Sequence, residues 1–449
     1  MHWLTHPVRL IRTPLLLSAM LISSGCVSMA YTQDPLEQYL ITQQPELALT
    51  ALEQQQHKPR DQAIYHLNKA TLLRMQGNFE DSNTELETAK QTSTNLEALS
   101  LREQAAAVTV NDAMRSYLPA PFERAMLYCL KIINYLELND LNGARVETLQ
   151  LDVFLKQNFE TAEPAFARYL SGLVFEANKE LSDALIAYRK AYQAYKTAET
   201  NVPKQLQADL LRLTDDQGLA DEHQTYLEEF KLKHWLKQSE LNRHGEFIAI
   251  VLNGLVPHKH ETAINAQDPR SGQLHRIAIP FYEKRQAQVK TVQIVDTNLS
   301  RPGETFAALD QQAEANLSDQ MPGIIARAIA RVSVKNNFSD NMAKQSQLLG
   351  FVSNIAGFIS EQADTRGWYS LPQEIIISRI ALPPGDHELD IRLKGNANTI
   401  VAKKSSNIIA LQQRQKQFYS WHLPASTITS KRDDHARITY SASIRHRID

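Results

Sequence analysis

The chain has 449 residues, room for two or three domains at about 150 residues each. With 43% apolar and 22% charged residues it has the balance of a globular protein. Forty-eight basic side chains face 50 acidic ones, for a formal net charge of −2, so the basic footprint with which a nucleic-acid binder displaces counterions is missing and no nucleic acid is expected as a partner. Two cysteines stand at Cys26 and Cys129, and modification of the first leaves the second without a disulfide partner.

At the start of the chain Arg9 and Arg12 precede the apolar run Leu15 to Ile22, and small residues follow. A basic segment, a short apolar segment and small residues are the marks of a bacterial secretory signal peptide. The run is far shorter than the roughly 20 residues a spanning helix needs. Ser23-Ser24-Gly25-Cys26 then resembles the lipobox of bacterial lipoproteins, although that pattern prefers Leu where Ser23 stands. The resemblance implies cleavage before Cys26 and palmitate-type acyl chains on its sulfur and new amino terminus. Cleavage after Ser28-Met29-Ala30 is the rival reading, and an unprocessed helix is a third. Residues 1–25 are therefore read as a lipoprotein signal peptide, Cys26 as the lipidation site and 26–36 as a tether. Several chains at ~0.8 kcal/mol per buried methylene hold such an anchor firmly. Val27 follows the cysteine in place of the Asp that usually marks inner-membrane retention, so the resemblance implies the outer membrane, facing the periplasm.

Residues 37–240 read as helices. Three segments share one pattern: Ala70 and Leu73, the turn Gln76-Gly77-Asn78, then Leu86 and Ala89; Ile132 and Tyr135, Asn139-Asp140-Leu141, then Ala144, Thr148 and Leu151; Gly172 and Phe175, Lys179-Glu180-Leu181, then Ala184, Tyr188 and Ala191. Each is a helix, a tight turn and a second helix, with a small residue where the two cross. The pattern looks like degenerate tetratricopeptide repeats, with a generic helical bundle as the alternative. Stacked pairs of this kind expose a face suited to protein partners. Cys129, inside Met126 to Leu130, reads as a small buried hydrophobe rather than a reactive thiol.

Residues 241–449 change texture. Glu246 to Leu252 is a buried strand closed by Asn253-Gly254, and His275–Pro280, Thr291–Val295, Glu374–Ile380, His387–Leu393 and Phe418–Leu423 follow as strands. Pro383-Pro384-Gly385-Asp386 is a turn. Short antiparallel strands with such turns suggest a β-sandwich-like domain, so the chain is expected to be an α+β multidomain protein. A helical insert at about 304–363 carries an apolar stripe from Phe306 through Leu309, Ala313, Leu317, Met321, Ile324 and Ala328 to Val332, which Pro322 should break in two. Arg327, Arg331 and Lys335 form a basic row read as a solvated face or as a contact for acidic groups or lipid headgroups. Leu348 to Ile359 lacks charge and is too short to span a bilayer, which leaves a buried helix or an interface for a partner or the membrane.

No phosphate loop, dinucleotide fingerprint, nucleophile elbow or zinc-protease motif is found, so no catalytic residue, cofactor or metal is assigned and the chain is not read as an enzyme. His258-Lys259-His260 could aim two imidazoles to one side but lacks a third ligand, and a solvated loop is the expectation. Asp433-Asp434-His435 is equally weak.

Asn134-Tyr135-Leu136 with Ala144-Arg145-Val146-Glu147, the run Asn253 to Lys259, Asp364 to Trp368, Leu371-Pro372, and Leu382 to Gly385 together resemble a family of Gram-negative lipoproteins that joins tetratricopeptide-like repeats to a β-rich C-terminal domain. The resemblance covers roughly residues 125 to 390. It supplies no catalytic residues and implies a role in envelope maintenance, beside lipoproteins that activate peptidoglycan synthases. Within it, Arg366 is expected to make a forked pair with Asp364 or another carboxylate while Trp368 packs beneath, as a structural clasp or as a partner or ligand contact.

Three functions remain open on the sequence: a lipid-anchored adaptor for an outer-membrane or periplasmic protein, a peptidoglycan-binding module using Trp368, Tyr419 and Trp421, and an unrecognised envelope hydrolase. The anchor is tested first. Cys26→Ala is expected to abolish acyl labelling and to release the protein from the membrane fraction; acyl label retained by the variant sinks the assignment.

Overall fold

The computed structural model describes residues 35–55, 57–103, 115–160, 163–267, 272, 274–297, 299–345, 362–405 and 408–428. Residues 1–34, on which the expected signal peptide and Cys26 fall, the stretch 348–359 and Asp433 to His435 lie outside the described residues.

The first half is built from helix pairs: α1 (Pro35–Ile41) with α2 (Pro45–Gln54), α3 (Gln62–Met75) with α4 (Phe79–Glu103), α5 (Pro121–Glu137) with α6 (Leu141–Asn158), α7 (Ala165–Ala177) with α8 (Leu181–Thr197), and α9 (Lys204–Asp216) with α10 (Ala220–Phe230). A short α11 (Gln238–Leu241) follows. One turn recurs in all of them. Its middle residue takes a left-handed conformation, at Gln43, Gly77, Asn139, Lys179 and Gly218, with φ between 55° and 83°. The residue after it donates its N–H back to the carbonyl five positions earlier, as Asn78 to Leu73, Asp140 to Tyr135 and Leu219 to Thr214, at 2.8–3.0 Å. That bond satisfies carbonyls the helix end would leave orphaned and reverses the chain in three residues. The three pairs legible in the sequence are there, joined by two more at 35–54 and 204–230. Small residues do sit at the crossings: a Cβ on Gly172 would collide with the Tyr188 ring, and Ala144 and Ala184 are fully buried.

The strands follow as β1 (Gly245–Asn253), β2 (His258–Gln267), β3 (Leu274–Glu283), β4 (Arg285–Ala287), β5 (Thr291–Val295), β6 (Ser300–Pro302) and β7 (Glu304–Ala308). After the helix α12 (Leu309–Gln345) come β8 (Glu374–Leu382), β9 (Gly385–His387), β10 (Asp390–Lys394), β11 (Ile400–Ser405), β12 (Ile409–Leu411), β13 (Lys416–Leu423) and β14 (Ser426–Ile428). One four-stranded sheet runs β13-β1-β8-β7 and another β11-β10-β5-β6. The described chain is thus mixed α and β, helix pairs first and sheets after.

Alternation along β1 explains how the halves meet. Phe247, Ala249 and Val251 join Ile376, Ile380, Val292, Ile294, Ile391 and Leu393 in the core between the two sheets. Ile248, Ile250 and Leu252 point the other way, into a cluster that continues through Ile375, Ile377 and Phe418 to Leu127, Leu130, Tyr169 and Leu210 of the helices. A strand buried on both faces reads as an unbroken apolar run, which is how Glu246 to Leu252 looks in the sequence.

Three expectations change. β13 pairs with β1 in parallel, Glu246 opposite Lys416, so the sheet is mixed. Residues 304–308 form strand β7 beside β8, and the insert begins at Leu309. α12 passes through Pro322 without ending: Met321, Ile324 and Ala328 pack on Ile277 and Ile279 of the β2–β3 hairpin, and that burial offsets the roughly 3 kcal/mol a proline costs inside a helix. One apolar cluster runs across the joint near 236–243 from the helices into the strands, because the second face of the sheet is apolar.

A protease cut in the exposed stretch 231–237 is therefore expected to leave two fragments that co-elute and melt in one transition. Fragments that separate in gel filtration, each folded, would show two independent cores.

Candidate functional site

The first helix of each pair carries polar side chains into the strand half. On α1, Glu37 is buried against Arg285 of β4 and takes a 2.7 Å contact from Nδ1 of His258. Burial pushes the Glu37 carboxyl up, but the His258 hydrogen bond and the Arg285 charge outweigh it and hold the group below the usual carboxylate range. His260 meets Glu283 at 3.3 Å, and the two imidazole rings stand 4.9 Å apart. The expected solvated loop is instead the start of β2, each histidine provided with a carboxylate; alternation places both on one side of the strand. Among the described residues no group of three or more His, Cys, Asp or Glu is placed to hold a metal.

On α3 and α5 the partner is the segment 364–371. Arg366 forks onto Asp364, Nε to Oδ1 at 2.8 Å and Nη2 to Oδ2 at 2.7 Å, while Nη1 reaches Asp61 at 2.8 Å. Its guanidinium also lies 5.6 Å from the Tyr117 ring. Trp368 is 1% exposed. Its indole N–H donates to Thr71 at 2.9 Å, its backbone N–H to Glu123 at 3.0 Å, and Ser370 donates to Asn68 at 2.8 Å. Further along, Arg74 bonds to Asn134 and to Ser420 of β13, and the outward backbone N–H of Ser420 donates to Glu137. That carboxylate blunts a strand edge.

On α7 and α9 the contact is ionic. Arg379 of β8 makes a fork with Glu246 at 2.7 and 3.1 Å and reaches Asp209 at 2.7 Å and the Tyr169 hydroxyl at 2.8 Å. Arg212 pairs with Asp209 and Glu176, each at 2.9 Å, and Lys416 with Glu176 at 3.2 Å and with Glu246. All six charged groups are buried. Burial pushes the Glu246 carboxyl up, yet the charges of Arg379 and Lys416 prevail and hold it at about 2. Sequence reading missed this network. Its signal was Arg379 within Ile375 to Leu382, since a charge in a buried strand requires partners.

The remaining candidates are scattered. Arg331 is 6% exposed, not solvated: it lies three residues after the buried Ala328, on the face turned to the hairpin. Arg327 is half-buried, and the side chain of Lys335 lies outside the described residues. Tyr419 and Trp421 are half-buried beside the inter-sheet core. Cys129 is fully buried, and burial pushes its thiol up.

The second helices face outward. On α6, Val146, Leu149 and Val153 are 54%, 44% and 53% exposed at steps of three and four, one stripe on one face. Ile186 of α8 is 48% exposed. Arg145–Glu180 at 2.7 Å and Lys190–Asp152 at 2.9 Å tie the two helices side by side and bracket this apolar surface. No helix among the described residues is long and apolar enough to cross a membrane.

No family model and no curated protein matches the chain. A solved structure, the MamA RS-1 ArsTM double mutant, is similar over 44% of this chain and 87% of its own, at 17% identity and a TM-score of 0.30, a likeness too loose to carry fold or function across.

The clasp generates a prediction. Removing a buried tryptophan costs ~3–5 kcal/mol, so Trp368→Ala is expected to lower the melting temperature sharply, and Arg366→Lys, which keeps the charge but loses the fork, to lower it less. A Trp368→Ala variant that melts like the parent protein would mean that the clasp does not hold the halves together.

Proposed function

We propose that this protein is a non-enzymatic, lipid-anchored scaffold or adaptor on the periplasmic side of the outer membrane, and that it binds an envelope protein in peptidoglycan synthesis or envelope maintenance. In this reading the helix pairs are tetratricopeptide-like repeats, the facing sheets are a β-sandwich-like domain, and Cys26 is the anchor. One observation carries the adaptor role. The first helices of all the pairs are covered by the chain's own strand half, while the second helices hold Val146, Leu149, Val153 and Ile186 out in water. Apolar groups gathered on one face and flanked by ion pairs are the usual makings of a protein contact. Partner recognition accordingly belongs to the outer face, not to the face the sheet covers.

A photoreactive residue placed at Val146, Val153 or Ile186 in intact cells is expected to give a discrete crosslinked protein. The same residue at exposed Glu80 or Glu228 is expected to give none. Crosslinks from the control positions alone, or to glycan alone, would overturn partner binding at the apolar surface of α6 and α8.

A further inference from the structure

Away from the helix pairs, a cleft of about 570 Å³ opens between the stretch 284–290 and the junction of β7, α12 and β8. That volume lies within the range of about 300–1,000 Å³ typical of small-ligand sites. One wall carries Lys284 and Lys290; the other carries Asp310 and Glu374. Gln373 spans the floor and sets the distance between the walls: its Oε1 accepts from the Ala287 N–H at 2.8 Å and its Nε2 donates to Asp310 Oδ2 at 2.9 Å. Glu374 is held in place by Asn253 Nδ2 at 2.7 Å and by the Thr305 hydroxyl at 3.2 Å. Beneath the floor runs Gly254, at φ +70°. A Cβ there would come within 2.9 Å of the Ala287 Cβ and 3.1 Å of the Gln373 Cβ, so the turn after β1 brings the backbone this close only as glycine. Asn253-Gly254 and Gln373-Glu374 thus meet at a built cleft that the adaptor reading leaves unused.

The two walls have opposite charge. Burial and the neighbouring Asp310 charge push the Glu374 carboxyl up, and Lys290 opposes them from across the cleft. A positive group seated between Asp310 and Glu374 relieves that repulsion, and a negative group at the other end meets Lys290. A simple anion would face the carboxylates, and a simple cation would face the ammonium groups. We propose that this cleft binds a zwitterionic amino acid or short peptide, its ammonium on Asp310 and Glu374 and its carboxylate on the lysine wall. The open side lets a longer peptide chain leave toward solvent.

Isothermal titration of the solubilised full-length protein at pH 7 tests this with alanyl-alanine, its N-acetyl form and its C-terminal amide. The free dipeptide is expected to saturate one site, and each blocked form to bind at least tenfold more weakly. Lys290→Met should weaken the free dipeptide tenfold and leave the amide unchanged, whereas Asp310→Asn should weaken the free dipeptide and leave the N-acetyl form unchanged. Both variants are checked by melting temperature, and Lys290 is exposed, so its loss spares the core. Absence of saturable heat with the dipeptide, equal affinity of the blocked forms, or parent-like binding by both variants would overturn the proposal. None of these outcomes bears on the crosslinking of the outer face.

Discussion

Arg379, Arg212 and Lys416 meet Glu176, Asp209 and Glu246 out of reach of water, and the rest of the fold is arranged so that all six arrive together. An ion in a protein interior costs several kcal/mol in lost hydration, returned only when its partners are in place. The helix half brings two of the anions and one cation; the strand half brings the reverse. Neither set is neutral alone, and each half would carry an uncompensated buried charge if the other left. The apolar cluster around Ile248, Ile250 and Phe418 supplies most of the cohesion, while the ionic group specifies which face meets which. The Arg366 fork and the Trp368 indole repeat that logic at α3 and α5, and Glu37 with Arg285 repeats it at α1.

This arrangement inverts the usual division of labour in helix-pair arrays. The row of first helices is a recognition surface in many such folds, and here it recognises a sheet from the same chain. The second helices are left outside that contact, and the apolar stripe on α6 stays about half exposed. The stripe and the charged cleft stand on different structural bases, one on helix faces and the other on strand ends, so occupation of one leaves the other open.

Much of the scaffold was legible in the sequence for local reasons. Gly77 and Asn139 sit where a left-handed turn residue belongs, and the run Glu246 to Leu252 could only be a strand covered on both sides. The pairs at 35–54 and 204–230 passed unseen, the first because Gln43 fills the left-handed position without advertising it; Gly218 did mark the second. β2 was missed because its alternation is between half-buried and exposed residues, most of them polar, and it exists by pairing with β3. The forked Arg366 followed from its spacing to Asp364. Its third bond, to Asp61, lies 305 residues away and depends on tertiary contact alone. The Arg379 network and the cleft are of that same long-range kind, which periodicity does not record.

The parallel pairing of β13 with β1 brings Lys416 beside Glu246 across 170 residues. A chain that emerges amino end first therefore leaves one edge of β1, and the part of α5 that β13 covers, exposed until almost its last strand has been made. Topologies so rich in distant contacts close slowly. During synthesis the unfinished protein would present that apolar edge, a station for chaperones, and a truncation as late as residue 415 would remove Lys416 from the buried ionic group and Ser420 from its bonds to Arg74 and Glu137 rather than merely trim a tail.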